Sequence, residues 1–207
     1  MARAPGDSSD LTGYARIRNA ALECFARDGF EASSVRAIAR TAGVSPGLVQ
    51  HHFPTKLDLR EAVHEHVVAL AAAPFAQLPP PSHDSDPFEE LGERITRLLS
   101  EHPDALRYAA RATLEGDQAA IDLFGAFVAI ARTQWEQLAR AGRLRSDLDL
   151  DWAALHPVIF NLGVVLFREA IERHLPQPLF SPQELARLNL AMTTLQRMGT
   201  RRTSDEP

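Results

Sequence analysis

The sequence predicts an all-α protein of about nine helices: a small N-terminal helix-turn-helix headpiece followed by a larger helical domain. Three observations point there. Apolar residues recur at spacings of three and four along most of the chain. No stretch alternates over a strand's length. Helix-capping residues punctuate the pattern at short intervals at the N-terminal end.

Taken in order, residues 12–28 place Ile17, Ala20, Ala21, Cys24 and Phe25 on one face of a first helix. Gly29 suits a left-handed cap after it, and Phe30 folds back on the helix end. Ser33-Ser34 supplies the N-cap of a short second helix that buries Val35, Ile38, Ala39 and Ala42, and Gly43 breaks it. Ser45 caps a third, with Pro46 in its first turn, where a missing N–H costs nothing. Pro54 stops that helix near His52, because the residue before proline avoids helical geometry. Thr55 caps a fourth helix over 56–73, with Asp58 three residues on as in a capping box. Residues 78–87, with Pro79-Pro80-Pro81, read as a stiff connection. Helices are expected at 87–101, 103–115 and 117–141, a loop at 142–150, and one long helix at 151–174. Ser181 and Pro182 start the last helix, and the tail from Thr200 is polar.

Composition narrows the function classes. The 207 residues are 45% hydrophobic and 24% charged, as in ordinary globular proteins. Cys24 is the only cysteine, which excludes an intramolecular disulfide and any multi-cysteine metal site and suits a reducing interior. The nearly apolar runs 67–76 and 153–167 are interrupted by Pro74 and by His156, Pro157 and Asn161, short of the roughly 18 clean residues of a membrane span. With no leader-like stretch at the start, a soluble cytoplasmic protein with no membrane partner is expected. The net charge of −5 conceals a split: residues 1–56 carry 7 basic and 5 acidic residues, and the remainder 15 and 22. The N-terminal segment is therefore the one to face a polyanion.

Residues 34–53 carry the chemistry. Two short helices joined through Thr41-Ala42-Gly43-Val44-Ser45 make a helix-turn-helix. Ala39 is small enough for close helix packing, Gly43 takes the left-handed turn, and Val44 fills the angle. Ser45, Pro46 and Gly47 bring bare amides to the start of the third helix, where a phosphate is attracted. Leu48, Gln50 and His51 point outward as readers of base edges or phosphates. Lys56, in the first turn of the fourth helix, opposes the macrodipole. Either a phosphate relieves that conflict, or the lysine stem packs on Phe53.

The runs Ile17-x-x-Ala20-Ala21-x-x-x-Phe25-x-x-x-Gly29-Phe30, Ser34-x-x-x-Ile38-Ala39-x-x-Ala42-Gly43-Val44-Ser45-x-Gly47 and His52-Phe53-x-x-Lys56-x-x-Leu59 resemble the DNA-binding headpiece of the TetR (tetracycline-repressor-like) family. The resemblance covers residues 14–60 or so; beyond residue 75 it is one of architecture. It implies a homodimer that binds double-stranded, palindromic operator DNA and releases it when a small molecule enters the C-terminal domain. It implies that Ser34 and Arg36 contact phosphate, that Ser45, Pro46, Gly47, Leu48, Gln50 and His51 meet the major groove, and that Lys56 grips a phosphate. The family usually carries tyrosine at His51 or its neighbour. Histidine can still donate there, but its charge titrates near neutrality.

Rival readings are weaker. Gly43-Val44-Ser45-Pro46-Gly47 also fits the G-x-S-x-G nucleophile elbow, but that motif needs a preceding strand, and residues 35–42 are helical in pattern. An enzyme is not expected, and no cofactor. His51-His52, and His64 with His66, lack the i, i+4 spacing of a helical metal site, so no metal is expected. Cys24 lies on the buried face of the first helix and reads as core.

Tyr108, Arg111, Glu115, Phe124, Phe127, Trp135, Phe160 and Asn161 offer the aromatic walls and polar anchors of a small-molecule pocket, or are ordinary core at helical spacing. The stripes Leu155-Ile159-Leu162-Leu166 and Leu185-Leu188-Met192-Leu195 could be core; the resemblance implies that they form a four-helix dimer interface. The expected domains are a DNA-binding unit at 1–55 and a ligand-binding and dimerisation unit at 56–207. The expected function is a ligand-released transcriptional repressor. A helical small-molecule-binding protein without regulatory DNA binding is the alternative.

Overall fold

The computed structural model describes residues 8–76 and 86–200, and the side chains from residue 12 on. Residues 78–85 of the expected proline-rich connection and the tail beyond Thr200 lie outside that range. Among the described residues there are ten α-helices and no strand. In order they are α1 (Ser8–Asp28), α2 (Val35–Ala42), α3 (Pro46–His52), α4 (Lys56–Ala72) with a single 3-10 turn after it (Ala73–Phe75), α5 (Pro87–Glu101), α6 (Pro103–Glu115), α7 (Gln118–Arg140), α8 (Leu150–Leu166), α9 (Arg168–Glu172) and α10 (Pro182–Thr200).

Local chemistry sets the headpiece. Ser34 Oγ accepts from the Ala37 amide at 3.1 Å and Ser45 Oγ from the Leu48 amide at 3.2 Å, so each hydroxyl caps the helix that follows it. Ser33, the other half of the expected cap, is instead buried and donates to the Gly29 carbonyl at 2.7 Å. Gly43 sits at φ 64°, ψ 39°, the left-handed conformation that lets the α2–α3 turn close. Thr55 and Asp58 form a reciprocal capping box at the start of α4. Ile17, Ala21, Cys24 and Phe25 of α1 meet Ile38 and Ala39 of α2 and Val49 of α3 in one core. Arg16 closes the arrangement by donating to the Ala42 carbonyl at the end of α2.

That core continues without a break into the larger part of the molecule. α4 leaves the headpiece and buries Leu59, Ala62, Val63 and Val67 against α1, α6 and α7. Around it, α6 and α7 pack on α8, and α10 packs on α5. A smaller cluster of Phe88, Trp135, Leu138, Leu144, Ala153 and Ala154 seals the far end. The expected boundary at 55/56 coincides with the capping residue of α4, across which one hydrophobic cluster runs.

The helix expected over 151–174 is two helices. The turn of α8 ends at Phe167, and α9 bends away so that Glu172 can accept from Arg168 at 2.9 Å and from the Leu179 amide at 3.0 Å. The break after α8 raises the expected count of about nine helices to ten among the described residues. Pro157 stays inside α8. Among the described residues no helix is long and apolar enough to cross a membrane.

Candidate nucleic-acid interface and cavity

Burial decides which side of the helix-turn-helix meets a partner. Val49 is the buried anchor of α3, and with it inward, Ser45, Pro46, Gly47, Leu48, Gln50 and His51 are all exposed. Ser34 and Arg36 are exposed on α2. Eight of the nine expected DNA-contacting residues therefore present themselves along α2, the turn and α3. Both capping hydroxyls accept from a backbone amide, so each keeps its own hydrogen to donate outward. Ser45, as a cap between two helices, is not on a strand-to-helix elbow. Tyr14 of α1 lies against Phe53, with ring centroids 4.7 Å apart, and edge-on to His52 at 6.3 Å, which steadies the end of α3.

Lys56 is the exception among the nine. It is half-buried; its ammonium donates to the Glu31 carbonyl at 3.2 Å and lies 4.3 Å from the centre of the Phe30 ring. Neither packing on Phe53 nor a phosphate alone accounts for it. The conflict with the helix dipole is relieved inside the chain, by a carbonyl and an aromatic face.

The Phe30 ring is shared. Arg60 stacks on it at 4.5 Å, is itself 4% exposed, and grips Asp117 at 2.6 and 3.0 Å and Glu115 at 3.4 Å. Glu115 also accepts from the Phe30 amide at 3.3 Å. One guanidinium thus ties α4 to the end of α6, the start of α7 and the loop after α1. Its bond, with the Ala120 amide, holds the Asp117 carboxyl below the usual range. Burial, with the Arg60 charge beside it, lowers His64 to about 4.

A cavity of about 110 Å³ lies among α4, α5, α6, α7 and α8. Of the eight residues offered for a pocket, Phe127, Trp135 and Asn161 line it. The other five do not. Tyr108 is buried between Phe25 and His64, with ring centroids at 6.2 and 5.5 Å. Arg111 is drawn out to the end of α1, where it donates to the Arg27 and Asp28 carbonyls at 3.2 and 3.1 Å. Phe124 packs on the main core. Phe160 lines a separate cleft of about 30 Å³ between α5, α8 and α10. Glu115 is committed to Arg60. Missed were Leu91, Ile95 and Leu98 of α5 and Gln134 of α7. No local signal marked Gln134, which stands among the polar residues Arg132, Thr133, Glu136 and Gln137.

The two leucine-rich stripes divide. Leu162 and Leu185 are buried in the chain's own core; Leu155 is half-buried; Leu188 and Met192 line the α5–α8–α10 cleft. Ile159, Leu166 and Leu195 are exposed, and Trp152, Phe167, Leu190 and Met198 are exposed on the same helices or just past them. Each stripe is wider than one contact, so part of it faces inward and part outward. Among the described residues no three metal-ligating side chains gather.

Comparison with known proteins returns the same outline. The family described as bacterial regulatory proteins, tetR family, matches residues 17–63. The HTH-type transcriptional regulatory protein RaaS of Mycobacterium tuberculosis is 34% identical over 143 residues, 69% of this chain and 64% of that protein. The HTH-type transcriptional regulator UidR of Escherichia coli K12 is 44% identical over 48 residues, 23% of this chain and 24% of that one. The aligned stretches thus span less than two thirds of these relatives. Among solved structures, the TetR-family protein CprB of S. coelicolor superposes with a TM-score of 0.69 at 23% identity, covering 93% of this chain and 91% of that one. At that identity the superposition speaks for the fold.

Proposed function

We propose that the chain, whose residues 17–63 match the tetR family of bacterial regulatory proteins, is a transcriptional repressor of that family, released from a palindromic operator by a small-molecule ligand. The observation that carries this reading is the outward row Ser45 to His51 on a helix anchored by buried Val49, inside the segment that the family matches. In this reading residues 1–55 bind DNA and residues 56–207 bind ligand and pair the subunits. Arg36 and Ser34 position the headpiece on phosphates, joined by Lys56, whose ammonium spends one N–H on the Glu31 carbonyl and keeps two, while Gln50, His51 and Leu48 read bases in the major groove. The ligand acts by favouring a conformation whose two headpieces no longer match the half-sites. The setting is the cytoplasm.

The test is an anisotropy titration and footprint on DNA flanking the protein's own gene, at two salt concentrations. The expected result is a protected palindrome, bound at least about a thousandfold tighter than unrelated DNA. Binding without sequence preference across genome-wide selected fragments would leave only a small-molecule-binding protein. Gln50→Ala should relax discrimination at one base pair, costing about 1–3 kcal/mol there. Lys56→Ala should weaken binding to every sequence and lower the salt slope by about one. Unchanged affinity in both variants would overturn the headpiece assignment.

For the dimer, the exposed members of the two stripes are the interface residues: Ile159 and Leu166 with Trp152 on α8, and Leu195 with Met198 on α10. Large apolar side chains exposed together on two helices mark an association site, and a helix-turn-helix needs two-fold pairing to set two recognition helices about one DNA turn apart. Sedimentation should give a dimer, and Ile159→Glu with Leu195→Glu a folded monomer with much weaker operator binding. A wild-type monomer at micromolar concentration would refute this surface.

A further inference from the structure

The cavity states what chemistry it can hold, a step that deepens the ligand half of the proposed function and rests on it. Its wall is hydrocarbon from Ala71, Ile95, Leu98, Leu106 and Phe127, and no ionisable side chain lines it. Two residues break the apolar surface. Gln134 is 9% exposed, and its side-chain amide has no hydrogen-bond partner among the described residues. Asn161 spends its amide N–H on the Pro157 carbonyl at 2.7 Å, which leaves Oδ1 as an acceptor. An amide at the wall of an otherwise apolar cavity has donors and an acceptor available to whatever occupies that cavity.

We infer that the cavity takes an uncharged molecule with an apolar body and one hydroxyl-like group, which accepts from Gln134 and donates to Asn161. The volume sets the size of the body. An apolar cavity of about 150 Å³ holds benzene, so about 110 Å³ limits the apolar body to at most about six non-hydrogen atoms. Charge sets the selection. A carboxylate or an ammonium group would enter a wall with no counter-ion, and one amide cannot replace its hydration.

The experiment is calorimetric titration of the full chain with 1-hexanol, hexanoate and hexylammonium, three probes of one chain length. Hexanol should bind, and each ion should bind about a hundredfold more weakly or worse. Gln134→Leu, which keeps volume and removes the amide, should weaken hexanol about tenfold and leave the ions no better. Gln134→Met gives the same reading should the leucine variant not fold. Equal binding of either ion, no binding of hexanol, or unchanged hexanol affinity in the folded variants would each overturn the assignment. The operator titration is read separately. Specific DNA binding without hexanol binding would defeat this inference alone, and hexanol binding without specific DNA binding would defeat the repressor reading alone.

Discussion

Replacing Arg60 with methionine should lower the unfolding free energy by roughly 2–3 kcal/mol, a large share of the 5–15 kcal/mol typical of a folded protein. The guanidinium is nearly fully buried, bonds Asp117 twice and Glu115 once, and stacks on Phe30. Breaking a buried pair by removing one partner costs about 3–5 kcal/mol where the other charge stays sealed off. Here the abandoned carboxylates are 47% and 29% exposed, so water recovers part of the loss. Urea unfolding at one fixed protein concentration measures the change. Asp117→Asn in the methionine background should add little, because the two residues act as a unit and asparagine still accepts from the Ala120 amide. A change under about 0.5 kcal/mol for Arg60→Met would show the network to be decorative. The same bonds join α4 and the loop after α1 to the helices that enclose the cavity. The variant should therefore also show a smaller ligand-induced fall in operator affinity.

Stability should fall as the pH drops from 6.5 towards 4, and His64→Leu should remove much of that fall. Burial, then the neighbouring Arg60 charge, lowers His64 to about 4 in the folded protein, against 6.5 when unfolded. Between those values the unfolded chain binds a proton that the folded chain refuses, so acid favours unfolding throughout the window and no further below it. A gap of that size corresponds to at most about 3 kcal/mol. His66, lowered by burial and then by Arg18 and His102, acts in the same sense, so the variant keeps a residual slope. Asp117 works at the other end: its folded value lies below 3.8, so its contribution is present above 3.8 and disappears as the pH falls through that lower value. Unfolding free energies of the two proteins at pH 7, 5.5 and 4.5 test this directly, and parallel profiles would disprove the role of His64.

The headpiece was legible because its signals are local. Ser34, Gly43, Ser45 with Pro46, and the Thr55–Asp58 box each act within four residues, and the stripe from Ile17 to Phe25 shows which side of α1 turns inward. The cavity was not legible on the same terms. Five helices enclose it, and whether Phe127 or Phe124 faces it depends on a rotation that helical spacing leaves free. Tyr108 and Arg111 match a pocket in residue type, yet the close contact of α6 with α1 draws both away.

From sequence alone, then, came the helical class, the headpiece with its outward row from Ser45 to His51, and the absence of a strand before Ser45, because capping, turn geometry and amphipathic spacing are properties of neighbouring residues. Only the tertiary structure decided that Lys56 rests on Glu31 and Phe30, that Arg60 binds four segments together, and that α8 ends at Leu166. It also decided which leucines of each stripe stay outside and that Gln134 faces a cavity with no partner of its own. Each of those joins groups from 7 to 85 residues apart or rests on how several helices pack, and such distances close only when the whole chain has packed.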